Sequence, residues 1–215
     1  MATFLVPPMT APSVNVDLGP PPSAFLSDGV ATVANAVTLV RTVAAVAVAA
    51  IALTHSEPVL LVIAYAVYWV GDMLDGWTAR RLQQETRLGA VFDIISDRAC
   101  TSVLCIGVIV EYPQLAFVVV PFFLSFMVLD TILSLAFLCW PIVSPNYFAA
   151  VDRTVYRLNW SPGAKCLNTA GVVLLVAVGA TWVALALVVV LIGMKSWSLA
   201  RVQSMLRAAG AGGPS

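Results

Sequence analysis

Apolar runs long enough to cross a bilayer alternate with short polar breaks through most of this chain. A span needs about 20 residues at 1.5 Å rise each. Four stretches qualify directly: Asn35 to Leu53, Pro58 to Trp77, Ala90 to Val110 and Gln114 to Trp140. A further stretch, from Gly163 to Leu206, would be about 65 Å long as one helix, roughly twice the hydrocarbon thickness, so it is expected to split. A turn at Gly179 to Thr181 divides it into two usable lengths. The pattern predicts an all-α integral membrane protein with six transmembrane helices.

Charge supplies the orientation. Arg80, Arg81 and Arg87 fall between the second and third spans, Arg153, Arg157 and Lys165 between the fourth and fifth, and Arg201 and Arg207 near the end. The breaks around His55, Glu111 and Gly179 carry no Lys or Arg. The positive-inside rule places the basic segments in the cytoplasm, so an even number of spans leaves both termini there. A bacterial plasma membrane with the working face toward the cytoplasm is the expected location.

Composition agrees. The chain is 60% hydrophobic and 10% charged, with a mean hydropathy of +0.95, which leaves too little polar surface for a soluble domain of this size. Eleven basic residues balance eleven acidic ones, and no basic run or RNA-binding signature suggests nucleic acid. Cys100, Cys105, Cys139 and Cys166 lack CxxC spacing and read as small apolar residues. His55 reads as a loop residue. Residues 1–28 hold six prolines and no Lys or Arg, unlike a signal peptide, and are expected to form a disordered tail. The domain is expected over residues 29–208, with a flexible tail over 209–215.

Asp72, Asp75, Asp93 and Asp97 stand near the ends of two predicted spans, where a carboxylate is costly unless paired, hydrated or bound to a cation. Helical spacing puts Asp72, Asp75, Gly76 and Ala79 on one face, and Gly89, Asp93 and Asp97 on one face of the next helix. Four carboxylates so close either share protons or are neutralised by hard cations. Oxygen donors without Cys or His favour Mg²⁺, Mn²⁺ or Ca²⁺ over zinc, and room for two ions points to phosphoryl chemistry. Gly76, Ala79 and Gly89 remove bulk beside the acidic stripes, and Arg80, one turn from Gly76, can neutralise a phosphate. The carboxylates alone would equally suit a divalent-cation carrier or channel. Against that, they cluster at one membrane face, and the interleaved Gly, Ala and Arg suit a nucleotide better than a bare ion.

The stretch Asp72-x-x-Asp75-Gly76-x-x-Ala79-Arg80, eight residues, Gly89-x-x-x-Asp93-x-x-x-Asp97 resembles the signature of the CDP-alcohol phosphotransferase family at every defined position. The resemblance implies transfer of a phosphatidyl or similar group from a CDP-linked donor, such as CDP-diacylglycerol, to an alcohol, with release of CMP. It implies a pair of divalent cations, Mg²⁺ or Mn²⁺, held by Asp72, Asp75 and Asp93 with help from Asp97. Asp97 would also be the general base, and Gly76, Ala79, Arg80 and Gly89, with Asp75, would surround the cytidine diphosphate. Homodimers are common in the family, so a homodimer in phospholipid synthesis is implied too.

Weaker features extend the resemblance. Asn35-Ala-Val-Thr38-Leu-Val-Arg41 looks like the family's Pro-Asn-x-x-Thr-x-x-Arg start, with Ala34 replacing proline. That would set Asn35 and Thr38 at the nucleotide; the alternative reads Asn35 as a helix cap and Arg41 as an interface anchor. Lys165-Cys166-Leu167-Asn168-Thr169 is similar to the Ser-Lys-x-Asn-Thr stretch of members that make cardiolipin from phosphatidylglycerol, with Ala164 replacing the serine. With Arg153 and Arg157, Lys165 would hold an acidic acceptor, glycerol-bearing by preference, as in a cardiolipin synthase or phosphatidylglycerophosphate synthase. The three are otherwise cytoplasmic anchors. Asp130 has Leu129 before it where glycerol-phosphate-type members carry Arg, a departure that weakens direct transfer of that acceptor site, so Asp130 is read as the partner of a basic residue on another helix or as a structural residue. Trp69, Trp77, Trp140 and Trp160 are expected as interface anchors, and Gly171, Gly179 and Gly193 as helix contacts.

Overall fold

The computed structural model describes Gly29 and residues 31–211, with the side chains of 210 and 211 left aside. The tail expected over 1–28 lies outside the described residues, as does 212–215 of the tail expected over 209–215, whose residues 209–211 continue the last helix. Those described are helical, with no strand among them.

The first helix, α1 (Val33–His55), begins where Thr32 accepts a hydrogen bond from the Asn35 amide, and ends at Ser56, which takes the left-handed conformation with φ 51°. Pro58 then opens α2 (Pro58–Arg81) at a position where its missing N–H costs nothing. The turn after α2 includes Gln83 at φ 53°. Thr86 caps α3 (Arg87–Glu111) by accepting from the Gly89 amide. The Val33 amide donates to Gln84 Oε1 at 3.0 Å, tying the start of α1 to that turn.

These helices meet on small residues. Ala45, Ala49, Ala52 and Ala64 are almost fully buried, and van der Waals contact over such surfaces is what holds helices together in lipid. Glycines matter at two crossings. A Cβ on Gly71 of α2 would lie 2.5 Å from Arg41 Cβ, and one on Gly107 of α3 would lie 2.5 Å from Leu61 Cδ2. A Cβ on Gly179 or Gly193, by contrast, would meet nothing within 4 Å, and one on Gly171 would meet Leu167, Leu187 and the Cys166 carbonyl at 3.3–3.9 Å. Gly179 serves the turn instead, at φ 78°.

The stretch expected as the fourth span, Pro113–Cys139, is helical throughout but irregular. It runs from a 3₁₀ turn (Pro113–Leu115) through α4 (Ala116–Leu124), a π segment (Ser125–Asp130) and α5 (Thr131–Leu135) to a 3₁₀ turn (Ala136–Cys139). After a 3₁₀ stretch at Pro145–Ala150 come α6 (Arg153–Asn159), α7 (Pro162–Cys166), a second π segment (Leu167–Gly171) and α8 (Val172–Ala177). A break at residues 178–180, one residue before the one expected at Gly179 to Thr181, then precedes α9 (Thr181–Ala211).

Four helices are long and apolar enough to cross a membrane: Val33–His55, Pro58–Arg81, Pro113–Cys139 and Thr181–Ala209. Helix α3 carries Asp93, Asp97 and Arg98 in its first half, and the run 162–177 spans only about 24 Å. Large apolar side chains such as Val40, Val62 and Trp182 point away from the protein. Such a surface needs lipid around it, and the protein is a helical integral membrane protein.

Two tryptophans depart from the anchor reading. Trp140 and Trp160 are buried, flanking Phe148 with ring centroids 5.2 and 4.8 Å away. They belong to the core that seats the 145–160 segment against α5 and α9. Trp69 and Trp77 are exposed. Cys100 and Cys105 are buried, Cys139 and Cys166 are not, and all four are free thiols.

Candidate active site

Helices α2 and α3 bring Asp72, Asp75, Asp93 and Asp97 together around one guanidinium. Arg41 Nε donates to Asp75 Oδ2 at 2.5 Å, and its Nη2 bonds Asp93, lies 3.1 Å from Asp97 Oδ1 and 3.5 Å from Asp72 Oδ1. Asp75 is the innermost carboxylate, with its side chain 5% exposed. Its Oδ2 also accepts from Thr38 Oγ1 at 2.8 Å. Asp72 and Asp93 are about 40% exposed and open toward a cleft.

Arg41 therefore neither reaches the interface nor lines the recess into which Asn35 and Thr38 face. It is buried, because Gly71 lets its stem pass and four carboxylates stand at its end. Electrostatics outweighs snorkelling here: a guanidinium inside the membrane is far cheaper among anions than alone.

Two recesses share the wall formed by Asp75, Gly76, Arg80 and Asp93. The smaller, about 80 Å³, is lined by Asn35, Thr38, Asp75, Gly76, Ala79, Arg80 and Gly89 among others. Every residue that the motif assigned to the CDP moiety meets there. A Cβ on Gly89 would stand 2.9 Å from Asn35 Oδ1, so this glycine keeps α3 close to α1. At Gly76 a Cβ would find only the Arg80 guanidinium, at 3.4 Å, which lies folded over it.

The larger cleft, about 630 Å³, contains all four aspartates and continues to Arg98, Asp130, Lys165, Asn168 and Thr169. That volume lies in the usual range of roughly 300–1,000 Å³ for small-molecule sites. Lys165 donates to Asn146 at 2.8 Å on its rim. Arg153 and Arg157 are exposed on α6 and do not line it, since the short helix turns their side chains outward while Val155 and Asn159 face the core. Tyr147 donates to Glu85 Oε2 at 2.6 Å, bridging the 145–150 segment to the α2–α3 turn, and this bond raises the phenol's pKa.

Three charged residues had escaped the pattern reading. Arg98 Nη2 donates to Asp130 Oδ2 at 2.6 Å, and Lys195 of α9 bonds Asp130 Oδ1. Arg98 also stacks on Phe126, 3.7 Å from its centroid. A lone lysine in an apolar run is itself a signal, and Lys195 could have been found by it. Arg87, counted among the loop charges, is buried and donates to the carbonyls of Leu138 and Trp140. It holds the end of the fourth span to α3.

Oxygen atoms of Asp72, Asp75 and Asp93 lie within 4.8 Å of one another. Four carboxylates against one guanidinium leave an excess of negative charge, and all the donors are oxygen, so the set fits a hard divalent cation.

The sequence profile described as CDP-alcohol phosphatidyltransferase matches residues 31–194, a stretch that holds the whole aspartate motif, the Asn35 to Arg41 start and the Lys165 to Thr169 stretch. The chain belongs to this family. Similarity to individual family members is local. A CDP-diacylglycerol-inositol 3-phosphatidyltransferase of Candida albicans is 42% identical over 59 residues, 27% of this chain and 26% of the relative. The proteins of the same description in Schizosaccharomyces pombe and Saccharomyces cerevisiae are 43% and 42% identical over 47 and 50 residues, or 22% and 23% of this chain and 20% and 23% of theirs. The matches thus span about a quarter of the length of these relatives or less. All three are fungal and lend no support to a bacterial origin. No solved structure matches.

Proposed function

We propose that the protein moves a phosphatidyl group from CDP-diacylglycerol to an alcohol, releasing CMP, at the membrane boundary where α2 gives way to α3. One observation carries this reading. The residues expected at the nucleotide line a single recess, and that recess shares Asp75 and Asp93 with a cleft large enough for an acceptor.

In this reading Asn35, Thr38, Gly76, Ala79, Arg80 and Gly89 bind the cytidine diphosphate, with Arg80 balancing phosphate charge. Asp72, Asp75, Asp93 and Asp97 would hold two divalent cations, Mg²⁺ or Mn²⁺, which when bound stabilise charge on the transferring phosphate and the leaving CMP. Asp97, facing the larger cleft, takes the proton from the acceptor hydroxyl. Thr38 and Arg41 fix the orientation of Asp75 throughout. Six spans put the basic segments and both termini in the cytoplasm, and a homodimer is carried over from the family resemblance.

The acceptor is a polyol. The relatives' names specify inositol, which makes inositol or its phosphate the first reading. Lys165, Asn168 and Thr169 all line the cleft, and their similarity to cardiolipin-forming members supports a glycerol-bearing acceptor as the second. Purified protein would be given labelled CDP-diacylglycerol, Mg²⁺ or Mn²⁺, and in turn inositol, inositol phosphate, glycerol 3-phosphate and phosphatidylglycerol. The expected result is metal-dependent CMP release with one acceptor, reduced about 10²-fold or more in Asp97→Asn. Cation flux without CMP release would favour a carrier and overturn the proposal.

A further inference from the structure

Arg41 is doing something that neither a nucleotide ligand nor an interface anchor does. It is 4% exposed, its guanidinium touches all four carboxylates, and it is absent from the lining of the nucleotide recess to which Asn35 and Thr38 contribute. The route is built for it. Any side chain at position 71 would collide with its stem, at 2.5 Å from Cβ and 2.8 Å from Cδ, and Tyr68 covers the guanidinium from 5.7 Å.

The two ends of the guanidinium have different work. Nε is committed to Asp75, the most buried carboxylate, which Thr38 holds from the other side. Nη2 is shared by Asp72, Asp93 and Asp97, one from α2 and two from α3. Without this cation, the buried Asp75 and the mostly shielded Asp97 would face each other and the half-exposed Asp72 and Asp93 with no guanidinium among them, a repulsive arrangement. With it, the formal charge of the cluster falls from −4 to −3, and carboxylates from two helices are held in one place.

We propose that Arg41 is the resident counter-cation of the aspartate cage, holding the four carboxylates together when no divalent ion is bound and opposing, by its own charge, the ion's binding. Arg41 is then a positioning residue whose strength sets a compromise between a cage that stays assembled and one that binds its ions tightly. The second half of the proposal rests on the metal role assigned to the cage above.

The test uses the full chain in detergent, with melting followed in EDTA and in saturating Mn²⁺, and Mn²⁺ binding measured by electron paramagnetic resonance. Arg41→Gln is expected to melt roughly 5–10 °C below the parent in EDTA, because it leaves buried charges unpaired. In Mn²⁺ most of that loss disappears, and Mn²⁺ binds several-fold more tightly, as expected for removing a positive charge at close range. Arg41→Lys, which keeps the charge, recovers part of the loss in EDTA. Equal losses in EDTA and Mn²⁺, or weaker Mn²⁺ binding in Arg41→Gln, would show a packing residue and overturn the idea. If Arg41→Gln does not fold even with Mn²⁺, Arg41→Gln combined with Asp93→Asn decides: recovered folding supports charge balance, and continued failure refutes it. A parent protein that binds no Mn²⁺ would refute the metal reading of the site, leaving the EDTA series to judge Arg41 on its own.

Discussion

Asp130 is held by two cations, one on each carboxylate oxygen, Arg98 from α3 and Lys195 from α9. All three are largely shielded by the protein, so the balance of charge matters more than any single bond. Asp130→Asn leaves two buried cations facing a neutral amide and should cost about 3–5 kcal/mol, a fall in melting temperature on the order of 10 °C. Lys195→Met leaves the Arg98–Asp130 pair intact and should cost roughly half as much. Thermal melts of the two variants check the order, and equal losses would argue against a shared ion cluster. At this scale the chain was legible where chemistry demands spacing. The four aspartates and the glycines between them could be read because helical periodicity alone puts them on facing stripes. Lys195 carries a signal of its own as a lone lysine in an apolar run, but its partner Asp130, the role of Arg98 and the true partners of Arg41 could not be read, because each bond joins helices whose relative placement no local pattern encodes.

Helices α1 and α2 cross where Gly71 meets Arg41, and the crossing fixes the depth at which Arg41 enters the cage. Gly71→Ala is expected to cost about 1–3 kcal/mol by forcing the helices apart, and to weaken Mn²⁺ binding as Asp75 loses its alignment. Gly193→Ala, with open space around it, should change stability by less than about 0.5 kcal/mol. Comparable losses at the two positions would show that the tight crossing has no special role. The fourth span shows the limit of reading elements from hydropathy. Its extent is clear from the apolar run, yet the π segment at Ser125–Asp130 is not, and neither is the one at Leu167–Gly171. Each π segment carries a polar residue that lines the large cleft, Asp130 in one and Asn168 in the other. An inserted residue in a helix shifts the faces that follow it, so simple periodicity loses register where these side chains are needed.

For the whole molecule the six-span topology proposed above makes a direct prediction. Single cysteines placed at Ser56 and at Gly179, in a background freed of native cysteines, should react with an impermeant maleimide from the side opposite to cysteines placed at Arg81 and Arg157. Labelling of all four from one side would break the topology. Composition and apolar run length by themselves determined that the chain is a helical membrane protein, because burying this much apolar surface in water-free surroundings leaves little other choice. Motif spacing likewise determined the aspartate cluster. Only the tertiary structure decided which cations answer those carboxylates, that Arg87, Trp140 and Trp160 turn inward, and that Lys165 reaches the cleft while Arg153 and Arg157 do not. Those choices depend on distances between segments remote in sequence, and at low dielectric a few ångströms decide whether a charge is paired or not.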